Sequence, residues 1–170
     1  MSDNKDWSGR LVTRSGFEFD VRPVAPSDEA ELATFFAHVT PQDLRFRFLD
    51  SRKLGADLIR SMTAVDHDLS ERFLALEGGQ VVASALLAMD QARERGEVAV
   101  AIRPDYKQRG ISWTLLEHVT RYATARGLKM IESIESRDNR AAIALEQEMG
   151  FTLSPIEGEP SLVLVRRSLG

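Results

Sequence analysis

The chain contains no cysteine. Disulfide frameworks, thiolate nucleophiles and cysteine-bound zinc are therefore excluded. Histidine is scarce too. His38, His67 and His118 are scattered and lack the spacing of metal ligands, so no metal site is expected. No apolar run reaches the roughly 18 residues that cross a bilayer as a helix. A secretory leader pattern is missing as well, so the expected setting is cytoplasmic and away from membranes. Surplus positive charge is absent: the net charge is -4, which argues against a general nucleic-acid binder. Repeats, linkers and low-complexity tracts are not found.

What remains is an ordinary globular balance, with 43% hydrophobic and 28% charged residues in 170 positions. That length suits a single domain with a sizeable core. The polar start, residues 1–10, reads as a disordered tail ahead of one domain over 11–170.

Turn residues and periodicity divide the chain. "LVTRSGFEFDVRPV" reads as a hairpin around Ser15 and Gly16. Ser27 is the expected N-cap of a helix whose apolar face carries Leu32, Phe35 and Phe36. Thr40-Pro41 opens a further short helix, and "GADLIRSMTAV" reads as another. Two apolar runs around Gly78-Gly79 form a second hairpin. "GEVAVAI" alternates, placing Val98, Val100 and Ile102 on one face and Glu97, Ala99 and Ala101 on the other. From Gly110 to Arg126 the pattern is helical, with Ile111, Leu115, Val119 and Tyr122 inward and Gly127 as the stop. A strand over "LKMIESIES", a helix from Asp138 to Met149 and two closing strands complete the order. Hairpins followed by strand-helix-strand-helix-strand indicate a mixed α/β (α+β) sheet.

"RPDYKQRGISWTLL" joins the alternating strand to the long helix and carries Arg103, Lys107 and Arg109 against one acid, Asp105. A helix start exposes unpaired N–H groups, and a glycine there lets an anion come close. The phosphate-loop and dinucleotide-binding fingerprints are both absent, since Gly110 stands alone. From these residues alone, an anion cradle and a plain solvated loop both remain open.

"KQRGIS" followed by "WTLLEHVTRYATARG" resembles the acetyl-CoA-binding motif of GNAT-type N-acetyltransferases, Arg/Gln-x-x-Gly-x-Gly/Ala at a strand-to-helix junction. "DNRAAIALEQEMGF" resembles that family's next motif, an Asn and an Ala-rich helix ending in Gly-Phe. The front part, "VRPVAPSDEAELATFFAHVTPQDLRFRFL", is similar to the acetyltransferase domain of bacterial protein-lysine acetyltransferases. Two positions depart from the motif. Lys107 keeps charge but loses the planar fork, and Ser112 stands for Gly/Ala.

The resemblance implies a mixed, largely antiparallel central sheet flanked by helices. It also implies acetyl-CoA as co-substrate and an amine acceptor, either a protein lysine or a small molecule. The coenzyme A diphosphate would lie on the backbone N–H groups of Gln108, Arg109, Gly110, Ile111, Ser112 and Trp113, with Lys107 beside it at the motif's Arg/Gln position. The pantetheine arm would pair with backbone near Val100 and Ile102, between splayed strands, and Asn139 would bond it near the thioester. The expected acceptor pocket is the segment from Thr40 to Asp68. A homodimer is open by the same resemblance, with no interface fixed.

Acetyl transfer to an amine needs a base to free the nitrogen lone pair. Glu97 is the candidate, because small Ala99 and Ala101 beside it leave room for a substrate; its bland reading is a solvated strand start. Asn139 also has a reading as a helix cap, but Asp138 is placed to supply that cap, which leaves Asn139 for the ligand. Many relatives carry a tyrosine proton donor where this chain has Glu146, so no general acid is assigned. Tyr122 reads as core. "DHD" at 66–68 and "RFRF" at 45–48 read mainly as a solvated turn and as core phenylalanines with surface arginines. The rival to an enzyme is a catalytically weak acetyl-CoA sensor.

Overall fold

The computed structural model describes residues 7–48 and 56–169. Their strands form one eight-stranded sheet. The elements are β1 (Gly9–Val12), β2 (Glu18–Pro23), α1 (Glu29–His38), α2 (Pro41–Phe48), α3 (Ala56–Thr63), β3 (Ser70–Glu77), β4 (Gln80–Met89), β5 (Arg95–Ile102), α4 (Ile111–Ala125), β6 (Met130–Ser136), α5 (Arg140–Glu148), β7 (Thr152–Ile156) and β8 (Glu159–Ser168). The sheet order is β1-β2-β3-β4-β5-β6-β8-β7. Every pair is antiparallel except β5 and β6, which are joined through α4 and run parallel. The largely antiparallel sheet with flanking helices is the architecture the sequence implies.

Each sheet face has its own core. On one, α4 and the end of α5 press Ile111, Leu115, Val119, Tyr122 and Met149 onto Phe73, Ala85, Leu87, Val98 and Ile131. The four α4 residues expected inward are all buried. On the other face, α1 and α3 pack Leu32, Phe35, Phe36, Ile59 and Met62 over Leu74, Leu76, Val81 and Ala101. Strand alternation separates the two sets: Val98 faces α4, whereas Ala101 faces α1. Burying such side chains contributes about 1.5–3 kcal/mol each.

Glycine punctuation holds where the sequence places it. Gly16 turns the first hairpin at φ +90° and Gly127 ends α4 at φ +83°. Three local expectations change. Residues 1–6 of the expected tail lie outside the described residues; Gly9 and Arg10 pair in β1, and the Trp7 ring packs edge-on against His118 and Tyr122. Ser27 does not cap α1. Pro26–Asp28 forms a 3-10 turn instead, and Asp28 accepts the Ala25 N–H at 2.7 Å while binding Arg22 through both oxygens at 2.8 and 2.7 Å. That two-point pairing lowers the Asp28 pKa, chiefly through the Arg22 hydrogen bond. Finally, α5 starts later than expected, with Asn139 rather than Asp138 at its cap position.

Candidate active site

The site begins where two strands part. β5 and β6 match only at Arg95–Met130, Gly96–Ile131 and Glu97–Glu132. Beyond that point β5 stays paired with β4 up to Ile102, and β6 stays paired with β8 up to Ser136. The Arg103 N–H donates to Val82 O at 2.9 Å, which fixes which β5 residues face β4. Alternation then turns the backbone N–H and C=O of Val100 and Ile102 toward β6, into the gap. They have no backbone partner there among the described residues. The two positions expected to hold a strand-like arm are thus the ones that present an open edge.

The gap leads to the glycine turn. After the 3-10 turn Pro104–Tyr106, Gln108 takes φ +65° and Gly110 takes φ +87° at the N-cap of α4. The first amide of α4 to bond backward is Thr114, to Gly110 O at 3.1 Å. The N–H groups from Gln108 through Trp113, including Arg109, Ile111 and Ser112, have no bonded partner among the described residues. With the helix dipole behind them, they are the donors of the candidate anion cradle. The first hairpin braces it: Ser15 donates to Arg109 O at 2.7 Å, and a Cβ on Gly110 would lie 3.2 Å from Thr13 Cβ.

The basic side chains of the turn are already engaged. Arg103 pairs with Asp105 at 3.2 Å, and Lys107 pairs with Asp43 of α2. Arg109 donates to Asp105 O at 3.1 Å and lies over the Tyr106 ring at 4.6 Å. Lys107 therefore ties α2 to the turn, and the cradle rests on backbone donors. A cation the sequence reading missed arrives from the first hairpin: Arg14 lies 3.8 Å over the ring of Trp113, in the first turn of α4. Nothing local to Arg14 signals this, because 99 positions of chain separate the two.

The match to the family profile of the GNAT acetyltransferases covers residues 33–151, which includes the split, the cradle and α5. The chain belongs to this family. It is an acetyl-CoA-dependent N-acetyltransferase by that membership. It is 28% identical to an acetyltransferase of Pseudomonas aeruginosa over 136 residues, 77% of this chain and 73% of the relative. Its fold is similar to the GNAT domain of S. lividans PAT, with TM-score 0.90 and 23% identity over 97% of this chain and 98% of the other. It also resembles the acetyltransferase yncA of Salmonella typhimurium, solved with acetyl-CoA, with TM-score 0.70 and 18% identity over 89% and 94% of the chains. Among the described residues no group of side chains could hold a metal ion, and no helix is long and apolar enough to cross a membrane.

On the α1 face of this GNAT sheet, Glu97 is exposed, and its carboxylate makes no hydrogen bond or ion pair with a described residue. Its cross-strand neighbours are Ala88 and Glu132, and Glu132 is held by Arg166 at 3.0 Å. Arg72 of β3 lies on the same face, in register with Leu86 and through it with Ala99. Of the expected acceptor segment, residues 49–55 lie outside the described residues. "DHD" is structural: Asp66 Oδ1 accepts the N–H groups of Asp68, Leu69 and Ser70 at 2.9–3.1 Å. In "RFRF", Arg45 is exposed and Phe46 half-buried.

On the opposite face, Asn139 does not cap α5 with its side chain. Its amide donates to Glu135 Oε2 at 3.4 Å, and Ser133 donates to Glu135 Oε1 at 2.7 Å. Glu146 of α5, only 4% exposed, hydrogen-bonds to Glu135 and leaves Oε1 without a partner. Burial first, and then the Glu135 charge, push Glu146 up to about 9. Burial raises both carboxyls, so the Glu135–Glu146 pair favours a shared proton, at the position where the resemblance leads one to expect a tyrosine. Sequence reading missed this burial, because a glutamate on an exposed-looking helix gives no local sign of it.

Gly110→Ala forces an L side chain into the left-handed region, which costs about 1–2 kcal/mol, and presses on Thr13. Urea denaturation should show that loss together with weaker acetyl-CoA binding; unchanged stability would contradict the turn geometry. Glu146 gives a pH signature. Its folded pKa of about 9 lies above the ordinary 4.5, so the stability it contributes is full below 4.5 and is lost as pH rises toward 9. Glu146→Gln cannot ionise. Its melting temperature should fall less than that of the wild type between pH 5 and pH 9, and parallel curves would refute the protonated pair.

Proposed function

We propose that this chain transfers an acetyl group from acetyl-CoA to the amine of a protein lysine or a small molecule by direct attack in a ternary complex. The observation that carries this reading is the split between β5 and β6 opening onto the unpaired N–H groups of Gln108 to Trp113. Val100 and Ile102 would pair with the pantetheine arm, and the cradle with the diphosphate. Lys107 would act through its tie to α2, and Asn139 from its place at the start of α5.

Bound acetyl-CoA supplies an acetyl group activated as a thioester. Glu97, unencumbered at the mouth of the split, would take the proton that keeps the acceptor amine an ammonium. The freed nitrogen lone pair then forms the bond to the acetyl carbon, the carbon–sulfur bond breaks with its electron pair on sulfur, and the second proton lost from the nitrogen passes to the departing sulfur or to solvent. A thiol pKa near 8.5 lets that sulfur leave without an assigned donor. No cysteine is present to form an acyl-enzyme, which favours direct transfer. A single acetyltransferase unit over 11–170, working in the cytoplasm, fits this reading.

Glu97→Gln should lower kcat by about 10²–10⁴ with acetyl-CoA affinity intact, read as thiol release across an amine and peptide panel. A variant with a wild-type pH–rate profile would remove Glu97 from the mechanism. Tight acetyl-CoA binding without Glu97-dependent release on any acceptor would replace the enzyme with a sensor.

A further inference from the structure

Arg72 is a buried cation with no anion bound to it among the described residues. It is 3% exposed and sits near the start of β3. Nη1 donates to the neutral hydroxyl of Ser84 at 2.7 Å, and Nε is buried with no partner. No ion pair joins Arg72 to any described carboxylate. Burial, and then the nearby charge of Arg47, pull its pKa down to about 9, so it remains a cation at neutral pH. An isolated buried charge costs several kcal/mol, and replacing buried ions by apolar groups of like volume is often neutral or stabilising. A fold that only needed to fill this space would do better with an apolar residue.

Register shows what Arg72 faces. Arg72, Leu86 and Ala99 are cross-strand neighbours on the α1 face, and Glu97 lies two residues along β5 from Ala99. Burial falls along this strip: Ser84 and Ala101 are buried, Leu86 and Ala99 half-buried, Ala88 and Glu97 exposed. The Cα atoms of Arg72 and Glu97 are about 12 Å apart by strand spacing and rise. Between the two side chains lies a floor of Leu86, Ala88 and Ala99. A guanidinium at the closed end and a free carboxylate at the open end suit a small molecule with opposite charges at its two ends.

We propose that Arg72 binds the carboxylate of the acceptor, so that the acceptor is a small amine that also carries a carboxylate, of amino-acid type. This rests on the transfer reading and narrows it, because a lysine within a protein has no carboxylate close to its amine. The planar fork of Arg72 supplies two-point recognition and completes the hydrogen bonding that Nε lacks.

The test compares free amino acids, the matching decarboxylated amines and a lysine-containing peptide, using wild type, Arg72→Met and Arg72→Lys. Wild type should favour the carboxylated member in kcat/KM by about 10²-fold or more. Arg72→Met should abolish that preference through KM, with the acetyl-CoA KM unchanged and the melting temperature equal or higher. Arg72→Lys should fall between the two. A carboxylated amine added without coenzyme should also raise the wild-type melting temperature, and Arg72→Met should lose that shift. A shift of this kind with no turnover of any acceptor would support the carboxylate site while defeating the transfer reading. Equal use of decarboxylated amines or the peptide by wild type would overturn the proposal. So would a lowered melting temperature in Arg72→Met with substrate preference intact, which would assign Arg72 to the fold.

Discussion

The geometry of the proposed acetyl-CoA site follows from the point where β5 and β6 stop pairing. Each strand is held on its far side, β5 by β4 and β6 by β8, so both remain regular while the space between them widens. The edge left on β5 presents hydrogen-bonding groups at Val100 and Ile102 in a fixed rhythm. α4, the parallel crossover, packs against β4 and β5. The same crossover delivers its N-terminus to the end of the gap. One topological feature therefore sets both an extended docking edge and a ring of amide donors.

Charge is arranged around that opening in an economical way. The cations of the glycine turn pair with Asp105 and Asp43 or lie over aromatic rings, and so stabilise the turn. The donors left open are backbone groups, which cost no side-chain entropy to hold in place. Elsewhere the fold keeps two buried charges or protons that packing alone would not select. Arg72 lies on the α1 face with an unsatisfied Nε, and Glu146 lies on the α5 face with the proton it shares with Glu135. They lie on opposite faces of the sheet.

Much of this was legible in the sequence. The hairpins announce themselves through Gly16 and Gly78-Gly79, and α4 through its spacing of Ile111, Leu115, Val119 and Tyr122. The strand-to-helix turn with its open N–H groups was readable because those donors belong to consecutive backbone positions. What the sequence hid depends on contacts between distant segments. Lys107 meets Asp43 from 64 positions away, and Arg14 meets Trp113 across the first hairpin. Arg72 follows Ser70 and Glu71 at the polar start of β3, where a cation reads as a surface position until the helices on that face are placed. Glu146 reads as an exposed helical acid until β6 brings Glu135 against it. Ser27 lost its expected cap role because Pro26 tightened the entry into a 3-10 turn and moved Asp28 into place.

The most direct measurement is backbone amide hydrogen exchange with and without acetyl-CoA. Occupation of the split and cradle should slow exchange across Val98–Ile102 and Gln108–Trp113, with little change in β1 or β7. Slowed exchange elsewhere, with those two segments unchanged, would contradict the account.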